Sequence, residues 1–124
     1  MAAGIYNFNI EQGTTFKTSI TLQDSDGNTR DLTEYYARGH IRESADSTNT
    51  VAIFTCTIPN PKDGTIFISL KPSDTSGIDL HGKNYSSVVK YVYDIEIYKT
   101  INETEEEVYR VLNGFVFISP EVTK

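Results

Sequence analysis

The side chains best suited to acid–base, nucleophilic or metal chemistry are few in this sequence, and their spacing limits what each could do. Two histidines, His40 and His81, and one cysteine, Cys56, make up all of the imidazole and thiol. A catalytic zinc takes three protein ligands and a general base needs an oriented partner, so local spacing assembles neither. Cys56 stands inside the apolar run 51–58, which fits a buried small hydrophobe, because reactive thiols need electropositive, accessible surroundings. Asp24, Asp26, Asn28 and Asp31 gather oxygens as a calcium loop does. An EF-hand, however, sets its glycine after the third ligand and closes on a bidentate glutamate, and no glutamate stands at that place. The plainer expectation is a hairpin turn whose Asx side chains bond their own backbone. Asp94 and Glu96 share one parity of a strand, as on a solvated sheet, whereas glycosidase chemistry needs two carboxyls flanking a cleft. The sequence carries no phosphate loop, dinucleotide fingerprint or zinc-ligand spacing, so the expectation is a chain that is not an enzyme and uses neither metal nor cofactor. Asn84-Tyr85-Ser86 and Asn102-Glu103-Thr104 match glycosylation acceptors by chance, given no secretion signal.

A chain of 124 residues, 38% apolar and 23% charged, has the size and composition of one domain able to bury a core without disulfides. Residues 1–124 are accordingly expected to form a single unit with short flexible termini. Seventeen acidic against eleven basic residues give a net charge of -6, which offers phosphates no attractive field and argues against nucleic acid. No stretch approaches the ~18–20 apolar residues of a membrane span, and Met1-Ala2-Ala3-Gly4 lacks the regions of a signal peptide, so synthesis in the cytoplasm without membrane contact is expected. Eight Tyr and six Phe with no Trp lean toward β structure.

The strands that would position these residues follow from period-two alternation. In 5–10, Tyr6, Phe8 and Ile10 fall on the inward parity. Phe16, Thr18, Ile20 and Leu22 alternate with polar residues, and Asp24 to Asn28 closes a hairpin with a short return through Leu32. From Tyr36 to Arg42, Ala37, Gly39 and Ile41 share one face, and Tyr36, Arg38, His40 and Arg42 the other. Val51–Ile58 and Thr65–Leu70 follow, the latter with Ile66, Ile68 and Leu70 inward. Residues 71–78 hold one helical turn, with Ser73 as N-cap and Gly77 at its end. Val88–Tyr98 is the longest strand, placed centrally, with Tyr91, Tyr93, Ile95 and Ile97 on one parity. Thr100 to Glu106 connects it to 108–119, where Val108, Leu112, Val116 and Ile118 share a face. The run Glu103 to Glu107 reads as a solvated tip that discourages edge pairing. Seven or eight short strands without a long helix describe an all-β, immunoglobulin-like antiparallel β-sandwich, with a small barrel as the alternative.

Tyr and Arg are enriched at protein interfaces, which makes Tyr36, Arg38, His40 and Arg42 the interface candidates. Arg38, Arg42 and Lys90 interleaved with Tyr36, Tyr91 and Tyr98 also permit a sugar- or nucleic-acid-binding reading; cross-strand pairs on one sheet face are the plainer one at this net charge. Several blocks together resemble a known family. Ile10-Glu11-Gln12-Gly13-Thr14-Thr15-Phe16, Asp24-Ser25-Asp26-Gly27-Asn28, Asp31-Leu32-Thr33-Glu34-Tyr35 with Ala37-Arg38 and Ile41-Arg42, Tyr93-Asp94-Ile95-Glu96-Ile97, and the closing 114–123 are similar to small virion proteins of tailed bacteriophages. The pattern looks like the N-terminal domain of phage baseplate upper proteins. The resemblance implies an immunoglobulin-like building block of a tail, baseplate or neck, located in the virion, joined to other phage virion proteins and to copies of itself as a homo-oligomer or ring. Longer members carry a receptor-binding or assembly segment after this domain; with Lys124 last, the expectation is an adaptor. A carbohydrate- or receptor-binding module, using Tyr6, Tyr85 or Tyr98 as platforms, is the alternative.

Overall fold

Where branched or aromatic residues alternate with polar ones, a strand can bury one set and leave the other in water. The computed structural model describes residues 4–46, 50–78 and 88–120. Its strands are β1 (Gly4–Ile5), β2 (Phe8–Glu11), β3 (Phe16–Thr21), β4 (Tyr36–Arg42), β5 (Thr50–Thr57), β6 (Thr65–Leu70), β7 (Val89–Asn102) and β8 (Glu105–Ser119), with a short helix, α1 (Pro72–Ser76). They join edge to edge in the order β1-β8-β7-β4-β5-β6-β3, and β2 continues β1 along β8. The sheet curls over on itself. β2 and β3 lie at opposite ends of that order, yet the Phe8 and Phe16 rings are 5.1 Å apart, and both rings meet Phe54, at 6.0 and 6.2 Å. β5 makes the fold-over, because its first half pairs with β4 and Thr55–Thr57 pairs with β6.

The expected inward residues of β6 are buried, and β7 sends Tyr91, Tyr93, Ile95 and Ile97 into the same core, where Ile10, Leu32, Ile41, Val116 and Ile118 join them. Each such side chain contributes about 1.5–3 kcal/mol by leaving water, before its lost rotamer freedom is subtracted. Thr75 of α1 is a fully buried polar residue and is satisfied. Its hydroxyl accepts from Gly13 N–H at 3.0 Å and donates to the Thr14 carbonyl at 2.8 Å, tying α1 to the turn that follows β2. The 24–28 turn forms as an Asx hairpin: Asp24 Oδ1 accepts from the N–H groups of Asp26 and Asn28, and Gly27 takes φ 85°.

Five readings of the sequence need correcting. The sheet is mixed, not purely antiparallel, because β1 and β2 run parallel to β8. The first and last strands are joined through the whole domain, so no tight turn fixes their relative direction. Tyr6 is exposed, because the chain leaves the ladder at Tyr6–Asn7, where Asn7 Oδ1 accepts from Phe115 N–H at 3.0 Å and Tyr93 Oη donates to the Tyr6 carbonyl at 2.6 Å. Val108 faces outward, because the register slips between Ile95 and Glu96 and leaves the extra residue Val111 buried next to Leu112, which reverses the parity before it. The connection expected over 100–106 is mostly ladder: β7 runs to Asn102 and β8, the longest strand, starts at Glu105. Lys71, not Ser73, is the N-cap of α1, with Pro72 at the first helical position where its missing N–H costs nothing.

Candidate interface on the outer sheet face

Alternation on β4 sends Gly39 and Ile41 into the core and leaves Tyr36, Arg38, His40 and Arg42 on the outer face. Pairing with β7 then decides what each meets: Tyr36 lies opposite Tyr98, Arg38 opposite Glu96, and His40 opposite Asp94. The Tyr36 and Tyr98 rings are 5.8 Å apart. Arg38 Nε donates to Glu96 Oε1 at 3.1 Å, its Nη2 lies 3.5 Å from Glu106 Oε1, and its guanidinium stands 4.4 Å above the Tyr98 ring. Partial burial opposes the Arg38 charge, but the bonds to Glu96 and Glu106 outweigh it and hold the proton more tightly than usual.

Farther along the same face the Arg42 guanidinium, which can only donate, lies 3.3 Å from His40 Nδ1, so that nitrogen accepts. Arg110 Nε reaches Asp94 Oδ2 at 3.4 Å. Burial, and then the nearby Glu96, push the Asp94 carboxyl above its ordinary range, against the pull of Arg110, His40 and Arg42. Between β4 and β8 this leaves a groove of about 420 Å³, with apolar walls from Ile5, Val92 and Phe115 and charged ones from Arg42, Arg110 and Asp94. Asn113 also lines it and carries a buried Oδ1 with no hydrogen-bond partner. Lys90 reaches this face as well, its ammonium 4.6 Å above the Phe115 ring.

Sequence reasoning placed the four β4 residues on one face but missed their partners. Glu96, Glu106, Asp94 and Arg110 come from β7 and β8, and Ile5, Val92, Asn113 and Phe115 complete the groove. A two-residue turn at Glu103-Thr104 is the signal that could have aligned the two long strands. Tyr91 does not belong with Arg38 and Lys90, since it is buried on the inner face. Of the candidate sugar platforms, Tyr98 has a ring face covered by Arg38, Tyr6 is exposed beside Phe8, and Tyr85 lies outside the described residues, as do His81 and the Asn84 acceptor. Cys56 is half-buried, and burial pushes its thiol up to about 11, which keeps it protonated and a poor nucleophile.

A second cluster, away from this face, joins Arg30, Tyr35, Lys99, Glu107 and Tyr109. Glu107 accepts from the hydroxyls of Tyr109 and Tyr35, the latter at 3.2 Å, and Arg30 lies 4.9 Å from the Tyr109 ring centroid. These bonds, Tyr109 first, lower the Glu107 carboxyl and raise the Tyr109 hydroxyl. The cluster fastens the segment before β4 onto the β7–β8 hairpin.

Among the described residues no group of three or more His, Cys, Asp or Glu side chains is placed to hold a metal, and no helix is long and apolar enough to cross a membrane. No protein-family model matches the chain, and comparison with curated proteins finds no match.

Proposed function

We propose that this protein is a non-catalytic structural component of a tailed-phage particle, a tail, baseplate or neck adaptor that works by protein–protein assembly on an immunoglobulin-like sandwich. One observation carries the assembly reading. The outer face of β4, β7 and β8 leaves Tyr36 64% exposed and Phe115 and Val108 each 40% exposed, beside Arg38 and Arg110. Aromatic residues and arginine are enriched at interfaces relative to the rest of a protein's surface. The phage assignment rests on the sequence blocks from Ile10 to Thr123. The sandwich reading is supported by the crossing of β5 from one half of the sheet to the other and by the aromatic contacts between the halves.

The test is mass spectrometry of purified phage particles with chemical cross-linking. The expected result is recovery of this chain, with cross-links from Lys90 or Lys99 to neighbours. Particles that lack it overturn the reading. Replacing Tyr36 and Arg38 by Ala should strongly reduce incorporation while leaving the β-sheet circular dichroism spectrum intact.

A further inference from the structure

β3 ends the sheet on one side, and among the described residues no strand pairs with its far edge. Phe16 meets Phe8 of β2 ring to ring, without a ladder between those two strands. One bond fixes the backbone directions. Leu22 N–H donates to the Gly64 carbonyl at 2.8 Å, and the β3–β6 register sets 22 opposite 64. Bonded pairs alternate with unbonded ones in an antiparallel ladder, so Phe16, Thr18 and Ile20 bond β6. Lys17, Ser19 and Thr21 therefore turn their N–H and C=O groups toward the open edge.

The side chains are as unfinished as the backbone. Phe16, Thr18 and Ile20 lie on the inward row yet are only half-buried, whereas Leu70, Ile68 and Ile66 opposite them on β6 are fully buried. What the β3 row lacks is a neighbour on its far side. Exposed edges are usually blunted by interruption, proline, a bulge or charge. The other end of the sheet is interrupted, because the chain leaves β8 at Tyr6–Asn7 and splits that edge into β1 and β2. β3 pairs with β6 at every position, with no proline and no register shift. Its one blunting charge is Lys17, the only charged side chain on β3 and β6, and it sits near one end of the strand. A single cation at that place selects a partner more than it closes the edge.

We propose that the open edge of β3 receives an extended segment of a partner protein, added as an antiparallel strand. Residues directly opposite one another in such a pair share a face. The segment therefore carries apolar side chains opposite Thr18 and Ile20, which complete the inner row, polar ones opposite Ser19 and Thr21, and a carboxylate opposite Lys17. Read from its own N-terminus, it runs polar, apolar, polar, apolar, acidic. Backbone bonds at Lys17, Ser19 and Thr21 supply the affinity and the side-chain pattern supplies the specificity. This edge is separate from the outer face of β4, β7 and β8, so the proposal goes beyond the assembly reading and does not rest on the phage assignment.

The test is amide hydrogen exchange, read by NMR on the full-length chain, with and without a short synthetic peptide whose central run is Thr-Val-Thr-Val-Glu. In the free chain the amides of Lys17, Ser19 and Thr21 should exchange at least about tenfold faster than those of Thr18 and Ile20. The peptide should slow the first three by about tenfold or more. Ser19→Pro should abolish that effect, because it removes an N–H that β6 does not use. Lys17→Glu should weaken the peptide and favour a second one whose run ends in lysine, and this exchange of charges serves if Ser19→Pro does not fold. Ser19→Ala should bind as the wild type does, since it keeps the backbone N–H. The proposal is overturned if the three amides are already protected in the dilute free chain, if neither peptide slows them, or if exchanging the charges has no effect. Protection that grows with protein concentration in the absence of peptide makes a second copy the occupant and overturns it as well. None of these results changes with recovery of the chain from phage particles, which tests the assembly reading by itself.

Discussion

The two halves of the curled sheet share one kind of inner face and differ in their outer faces. On β3 and β6 the outward positions are Lys17, Ser19, Thr21, Thr65, Phe67 and Ser69, with Thr55 and Thr57 following on β5. Six of these eight are short hydroxyls, with Thr21 and Thr65 bonded to each other at 3.0 Å, and Lys17 and Phe67 stand among them, Phe67 49% exposed. On β4, β7 and β8 the outward positions hold Tyr36, Tyr98, Phe115, the arginines Arg38, Arg42 and Arg110, and the carboxylates Asp94, Glu96 and Glu106. Short hydroxyls lose little entropy and are satisfied by water, so the first face suits solvent. Long side chains stacked on rings suit a partner, since ordering them in advance lowers what association must supply. Inner faces are set by the demand for a dry core, which both halves obey alike; the division of labour is written on the outside.

The largest effects should fall on the inside and should be equal between halves. Ile95 and Ile66 are both fully buried, one under each outer face. Ile95→Ala and Ile66→Ala are each expected to cost about 2–5 kcal/mol, read from urea unfolding. A cost near zero for Ile66→Ala would break the comparison, making the β3–β6 half a loosely held flap. Next comes the joint between groove and core. A methyl group at Gly114 would sit 2.1 Å from the Tyr6 carbonyl oxygen, so Gly114→Ala must push the first strand away. The expected loss is about 1–3 kcal/mol, with faster amide exchange in residues 4–11. Smaller still is the effect of the outer faces on stability. Tyr36→Ala and Arg38→Ala should each cost about 1 kcal/mol or less and yet impair assembly, whereas Ser19→Ala and Ser69→Ala should change neither. Equal loss of assembly from both pairs would erase the distinction between the faces.

The sequence made the uniform half legible and the functional half only partly so. β3 and β6 alternate cleanly, and period-two counting puts Ile66, Ile68 and Leu70 inside without help. The four β4 candidates were visible for the same reason, since Gly39 and Ile41 could not be the wet side. What alternation cannot carry is a register slip. The extra residue Val111 exchanges the two faces of β8, so parity alone sends Val108 inward while the structure leaves it outside. Cross-strand partners are a property of register, and the register of β7 against β8 depends on a turn of two residues and on two irregularities, at Ile95/Glu96 and Thr100/Asn102, none announced by a glycine. The parallel docking of the first strand on the last is set by contacts more than a hundred positions apart, such as Asn7 with Phe115, and no local pattern encodes them.

The smallest expected effects concern pH, and they oppose one another within the charged half. Glu107 has its carboxyl lowered by the Tyr109 and Tyr35 hydroxyls. A lowered carboxylate contributes stability above its unfolded value, near 4.5, that is lost as pH falls through the folded one. Glu107→Gln should therefore be less stable than the wild type at neutral pH, with the gap closing in acid. Asp94 is the reverse case, raised by burial and by Glu96. Its ionised form is the costly one, so wild-type stability is lost as pH rises from 3.8 through the raised value. Asp94→Asn should then be at least as stable as the wild type at neutral pH, and the two curves should merge in acid. Urea midpoints measured across the acid range check both. If Asp94→Asn proves less stable at neutral pH, the attraction of Arg110 outweighs burial, and the charges around the groove hold the fold together. If it is as stable or more so, the fold carries a partly buried carboxylate at no benefit to itself, as a surface kept for a partner would.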